Sequence, residues 1–526
     1  MKINKLILIA LLICGTFNLS AQEQSFEATL TKKQMNKDFD QLVKIIEDCN
    51  VQLPVRKAVT GYDNLAEIKC MRSQLDTVTC YGGFELIIGT ALEYVMDKHS
   101  TSSNYFYSGY ENLDGIDTVY LLKRQQELTN FINKTTSDTR QNKFISNHFP
   151  VPVTCCYKDD LYCLIGDNKY LSKNGKDTLN INFMKVVSYN GEDIKEYAKR
   201  DRENHYGIKK LWDNKNKKYV NSNYGNLYLD TVGILRVEQN NSIFDIDIAA
   251  YIYNNPGWNL VTNSIEIDGV PKGYDNIFCG NKMSVFGDSI LYVFIRSMVS
   301  EDTALCNKIK AEAKGKNIKK VVVDVRGNKG GSDYTWHNVL KAIVKDTLPY
   351  PVKLAYNDSK MMRKKLSSMN DYTKTEKISW LGNKRFRVMQ DTNMKLAPDT
   401  NSIKYDGKIY ILYDDRTFSA AYNLVNYAEY LDNLVSIGYP TGQMLGFGLM
   451  PSLFQLKYSR FTFRLATTID ITNCNKPSDV YHDKPEIEVN PKVEEELLYP
   501  YSTHDTRSQE YLYNYDTWFR KVLELE

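Results

Sequence analysis

From Asp288 to Gly438 the chain alternates short, almost wholly apolar runs with longer segments of helical spacing, and this alternation constrains the fold more than any other feature. "SILYVFI" is followed by the polar-faced "EDTALCNKIKAEAKGK", "IKKVVVDV" by "YTWHNVLKAIV", and "GKIYILY" by "AAYNLVNYAEYL", with "NLVSIG" as a further run. Runs this apolar are strands buried on both faces, and helices between them carry the chain back so that neighbouring strands lie parallel. The spacing predicts an α/β core on a largely parallel sheet. In such sheets, sites collect where strands end and helices begin.

The rest of the chain has a different texture. Its 526 residues exceed one ordinary core, so two or three packed units are expected. "QMNKDFDQLVKIIEDC", "NLAEIKCMRSQL" and "YGGFELIIGTALEYVMDKHS" carry apolar residues at helical spacing, which predicts a helical N-terminal unit over 22–110. From Val151 short apolar runs and turns predict a mostly β region over 151–287. There "MKVVSY", the pair Asn190-Gly191 and "EDIKEYAKR" give strand, turn and helix in order. The α/β core is expected over 288–495 and a helical tail over 496–526, docked either on its own chain or on a partner.

Composition removes several classes of function. A formal net charge of +3 gives no footprint for nucleic acid, and the densest basic run, "KKLWDNKNKKY", is broken by Asp and Asn into a solvated loop. Lys2 and Lys5, the apolar "LILIALLICGTF" and the small residues Ser20 and Ala21 have the order of a signal peptide over 1–21. Cleavage is expected after Ala21, giving a periplasmic or extracellular protein without a transmembrane anchor. Acylation at Cys14 is the alternative, disfavoured by the bulky Ile13 before it. Ten cysteines, nine after cleavage, form no CxxC pair, and Cys155, Cys156 and Cys163 read as strand fillers as readily as a bridge or metal site. No HExxH or other ligand-spaced cluster appears, so neither a metal nor a cofactor is expected.

Two strand ends carry the candidate chemistry. In "VVVDVRGNKGGSD" a buried strand ends in Asp324 and Arg326, and Gly327, Gly330 and Gly331 turn the chain toward the next helix. Glycines there let backbone N–H groups converge on an anion, although spacing alone favours a plain strand-to-helix connection. One strand later, "KIYILYDDRTFSAAYN" sets Ser419 at the first turn of a helix, where the macrodipole favours an alkoxide. Serine is also a routine helix N-cap, and spacing alone favours that role.

The order "VVVDVRGNKGG", "KIYILYDDRTFSAA", "IGYPTG", "DKPEIEV" resembles the core of the C-terminal-processing (tail-specific) serine protease family, over Asp288 to Pro491. Upstream, "ALEYVMDKHSTSS" resembles the Asp-x-His-Ser/Thr element of its tricorn-like branch, and "MKVVSYNGEDIKEY" resembles the end of a PDZ-type module. The resemblance implies an α+β multidomain protein: a helical N-terminal unit, a PDZ-like mostly β module, and a peptidase core of ClpP/crotonase-like type. It implies Ser419 as nucleophile, His99 as general base, Ser100 as orienting hydroxyl, and the amides of Gly330 and Ala420 as oxyanion hole. For the acid of the relay it offers Asp479, with Asp483 and Glu486 behind it. Aligned on Thr441, Met444 stands where the lysine-dependent branch has its base, and a thioether cannot accept a proton; this points to His99. Lys329 and Tyr422 also depart from the family pattern.

The function implied is a secreted serine endopeptidase acting on peptide or protein substrates through an acyl-enzyme. An inactive peptide-binding or scaffold protein on the same fold is the alternative. An α/β-hydrolase esterase is set aside because "TFSAA" lacks the G-x-S-x-G glycines.

Overall fold

The computed structural model describes residues 30–102 apart from 80 and 98, the segments 154–157, 160–163, 184–197, 210–213, 218–221, 233–239 and 241–247, residues 280–439 apart from 300, 367–373, 383–384 and 392–393, residues 451–492 apart from 482–483, residue 495, and residues 505–525. The signal segment 1–21, Thr441, Met444 and Asp483 lie outside the described residues, as do the side chains of Cys155, Cys156 and Cys163.

The N-terminal helices start where their side chains permit. Thr31 and Gln34 close a reciprocal capping box over α1 (Lys32–Cys49), so two otherwise orphaned N–H groups are satisfied. Helix α2 (Gln52–Thr60) ends at Gly61 with φ +77°, and α3 (Tyr81–Glu93) leads into the "MDKHS" segment. Their apolar faces do not form a closed core of their own. Phe39, Leu42, Ile46, Phe84 and Ile88 pack with Leu354, Tyr356, Phe454, Phe463 and Leu465, which come from strands more than 250 residues later.

Between these helices and the core, Met184–Tyr189 pairs antiparallel with Asp160–Cys163 and Ile234–Gln239 in a sheet completed by Thr154–Tyr157 and Ser242–Asp247. Asn190 (φ +51°) and Gly191 (φ +79°) both take left-handed backbone, the type I′ geometry that an Asn-Gly pair favours. A short helical turn follows over 194–197.

The core is one six-stranded sheet whose spatial order equals its chain order: β1 (Lys282–Phe286), β2 (Ile290–Phe294), β3 (Lys320–Asp324), β4 (Ile409–Leu412), β5 (Leu434–Gly438) and β6 (Ile487–Glu488). Only the β1–β2 pair is antiparallel; β2 through β6 run parallel, as the strand and helix alternation predicts. Side chains alternate between two covered faces, which explains the unbroken apolar runs. Val321 and Val323 join Leu291, Val293, Ile409 and Ile411 beneath α4 (Thr303–Ala313), α5 (Tyr334–Ile343) and α6 (Ala420–Ala428). Val322, Tyr292 and Tyr410 face the other way, onto Leu512 of α7 (Gln509–Asn514) and Trp518, Phe519 and Val522 of α8 (Thr517–Glu524). The C-terminal tail is therefore docked on its own chain.

Candidate active site

The site forms at the carboxyl ends of β3 and β4. After β4, Asp414 is fully buried and accepts hydrogen bonds from Arg416 N, Thr417 Oγ1 and, across the sheet, Gly327 N at 2.8 Å. Burial alone would raise its pKa, but the Arg416 guanidinium and the Gly327 N–H outweigh that and hold the carboxyl below its ordinary range. Phe418 N donates to Asn328 O at 2.9 Å, so the turns after β3 and β4 are tied backbone to backbone.

Ser419 then takes φ +57° and ψ −129°, a conformation that non-glycine residues rarely adopt and that costs roughly 1–3 kcal/mol. It precedes α6, yet its side chain makes no capping hydrogen bond. Ser419 Oγ instead lies 2.9 Å from His99 Nε2, across 320 residues of sequence, and the Phe418 ring lies 4.5 Å from the imidazole.

His99 is held by the chain around it. Asp97 accepts hydrogen bonds from the N–H groups of His99 and Ser100 and from Ser100 Oγ at 2.7 Å. Ser100 Oγ also accepts from Ala466 N at 3.1 Å, and Thr101 pairs with Arg464. Arg56 donates to the carbonyls of Val95 and Met96 from below. Desolvation raises the Asp97 pKa in spite of the Ser100 and His99 donors. Ser100 thus fixes the backbone that carries the histidine, since its hydroxyl bonds run to Asp97 and Ala466 and not to the ring. Asp97 was legible in sequence only as the first residue of "DKHS"; its desolvation and its four donors, Asn50 Nδ2 among them, were not.

The glycine turn after β3 lies against the serine. A Cβ on Gly330 (φ +92°) would sit 2.5 Å from Ser419 Cβ and 3.0 Å from Ala420 N, so the two turns touch only because that side chain is missing. The expected role of its amide needs correction: Gly330 N donates to Asn328 Oδ1 at 2.8 Å, so that N–H is spent inside the turn. Ala420 is the first residue of α6, beside Ser419, where the helix dipole concentrates partial positive charge. Asn328, fully buried, holds the turn through Ile295 O as well.

Asp324 and Arg326 do something else. Arg326 binds Asp324 through two nitrogens, reaches Asp516 Oδ2 at 2.8 Å, and lies over the Trp518 ring at 4.6 Å. Burial pushes the Asp324 pKa up, but Arg326 and Arg507 outweigh it and leave the carboxyl well below its ordinary range. The pair anchors the C-terminal tail beneath the site.

Asp479 is engaged in its own turn. Its Oδ2 accepts from Asn475 N at 2.9 Å and Lys476 N at 3.1 Å, closing its own turn. Burial, Asp470, Asp479 and Glu429 together raise the pKa of the Cys474 thiol, and Glu429 follows the far end of α6, about 15 Å along the helix from Ser419. Glu486 donates its N–H to Ser436 Oγ at 3.0 Å and belongs to the β5–β6 edge. Among the described residues no cluster of His, Cys, Asp and Glu could hold a metal ion, and Cys49, Cys70, Cys306 and Cys474 are unbridged.

This constellation lies largely within a stretch with a known family signature. Residues 289–489 match the model of peptidase family S41. These residues are a family S41 peptidase domain. That domain makes the chain a serine-type endopeptidase, a hydrolase of peptide bonds. Among solved structures, mature CPAF is similar at 12% identity and TM-score 0.50, over 88% of this chain and 93% of its own. A serine-to-alanine variant of CPAF is similar at 10% identity and TM-score 0.51, over 92% of this chain and 97% of its own. The photosystem II D1 C-terminal processing protease aligns at 12% identity over 88% of this chain and 95% of its own, with TM-score 0.35. At these identities the CPAF likeness is one of fold. No curated protein sequence matches the chain. No described helix is long and apolar enough to cross a membrane.

Proposed function

We propose that this chain is an exported endopeptidase of the histidine-dependent, tricorn-like branch of its family, cutting peptide bonds through an acyl-enzyme on Ser419 with His99 as general base. One observation carries the reading: a serine in glycine-like backbone, its hydroxyl free of helix capping and 2.9 Å from an imidazole nitrogen. His99 Nε2 takes the hydroxyl proton as Ser419 Oγ attacks the substrate carbonyl, and the Ala420 N–H receives the oxyanion. The imidazolium then protonates the leaving amine as the C–N bond breaks. Water, deprotonated by the same nitrogen, hydrolyses the ester. Asp97 and Ser100 hold the imidazole in place through the backbone on which it is carried.

Export rests on the signal-like order of residues 1–21. The antiparallel sheet of residues 154–247, with its Asn-Gly turn leading into a short helix, is the PDZ-like module that captures peptide by strand addition. A fluorophosphonate probe read by intact mass tests the catalytic assignment. One adduct is expected on the mature wild-type protein and none on Ser419→Ala, with His99→Ala slowed by about 10³-fold or more. An adduct that persists in Ser419→Ala would remove the serine from its role.

A further inference from the structure

Behind the nucleophile, the two helices that follow the catalytic turns are joined by a side-chain clamp. Asp333 stands three residues after Gly330, at the start of α5, and Asn423 stands four residues after Ser419, in the first turn of α6. Asn423 Nδ2 lies 3.1 Å from Asp333 Oδ1 and 3.3 Å from Oδ2, so one amide spans both carboxylate oxygens. Trp336 Nε1 donates to the same Oδ1 at 2.8 Å. Asp333 begins α5 yet makes no capping bond with its side chain; that capacity is given to the neighbouring helix.

The clamp acts where the site is sensitive. Asn423 N donates to Ser419 O at 2.9 Å, so a rotation of the first turn of α6 moves the serine with it. On the other side, Gly330 meets Ser419 Cβ with no slack. Trp336, fully buried, continues the contact one turn further along α6 by lying 5.2 Å from the Tyr427 ring. We propose that Asp333 is a positioning residue for the hydrolytic reaction: its carboxylate, by holding Asn423, locks α6 against α5 and keeps Ser419 Oγ aligned with His99. Desolvation raises the Asp333 pKa although Trp336 and Asn423 both donate to it, as expected for a carboxyl packed between two helices.

The inference rests on the proposed role of Ser419, and fluorophosphonate labelling separates the two. The maximal labelling rate and the half-saturating probe concentration are measured for wild type, Asp333→Ala, Asn423→Asp and the reciprocal Asp333→Asn/Asn423→Asp, with thermal denaturation as a control on folding. Either single change should lower the maximal rate about 10-fold or more, with the half-saturating concentration moving less than about threefold, because misalignment acts on the chemical step. The reciprocal pair restores one donor and one acceptor and should recover the rate to within about threefold of wild type. Single variants that label at the wild-type rate, or a reciprocal pair no faster than Asn423→Asp while equally well folded, would overturn the inference and leave the role of Ser419 intact. A wild type that does not label overturns both.

Discussion

At Gly330 a Cβ would lie 2.5 Å from Ser419 Cβ and 2.7 Å from Phe418 O, and the backbone there is left-handed at φ +92°. An alanine must therefore push the nucleophile's turn away or flatten its own, and a displacement near 1 Å in a catalytic pair costs about 100-fold in rate. Gly330→Ala should lower the fluorophosphonate labelling rate by that order while the protein stays folded, as circular dichroism would report. Labelling within threefold of wild type would show that the two turns do not depend on this contact. At the residue scale the sequence was ambiguous for a physical reason. A serine that caps a helix and a serine presented as a nucleophile occupy the same position in the pattern, and the two differ in backbone dihedrals and hydroxyl direction. Neither is written in residue order, so Ser419 and His99 were legible only through resemblance. Gly330 was placed at the site on the same grounds, but its amide was assigned to an oxyanion when Asn328 takes it.

Elements were easier to read than residues. Four of the six core strands were visible as apolar runs, because a strand covered on both faces has no polar side to dilute the signal. The docking of α8 was not visible. It depends on Arg326, which reads in sequence as part of the glycine turn and in space reaches Asp516 and Trp518. Asp516 also caps α8 by accepting from Phe519 N at 2.8 Å. Asp516→Ala removes that cap, at about 1 kcal/mol, and strips a buried arginine of one of its two carboxylate partners, at roughly 3 kcal/mol. Chemical denaturation should show a loss near that sum, and Asp516→Asn, which keeps the cap, should lose about 1 kcal/mol less. A change below about 1 kcal/mol for Asp516→Ala would mean that the tail is held by its apolar face alone.

Over the whole molecule, two desolvated groups on the site side of the core pull stability in opposite directions with pH. His337, packed against Trp336 and Tyr350, is pushed down from 6.5 to about 4 by desolvation and then by Lys341. Between those values the unfolded chain binds a proton that the folded chain refuses, so this stabilising contribution is complete above pH 6.5 and is lost as pH falls toward 4. Asp470 is pushed up from 3.8 to about 6 by desolvation, against the pull of Thr472, with Asp333 adding to the rise. Here the folded chain binds the extra proton, so the contribution is present below 3.8 and is lost as pH rises through 6. The two slopes cancel in part between about pH 4 and 6, which flattens the wild-type profile there. Removing one group exposes the other. Asp470→Asn keeps an oxygen for the Thr472 donors and removes only the titration, so it should be more stable than wild type at pH 7 by roughly 1–2 kcal/mol, with the gap closing by pH 4. His337→Phe keeps the aromatic packing and should gain on wild type as pH is lowered from 6.5 to 4.5. Urea midpoints across pH 4 to 7.5 check both at once. Gaps that stay constant with pH in either variant would mean that the group titrates alike in the folded and unfolded chain, and that its burial is not felt as charge.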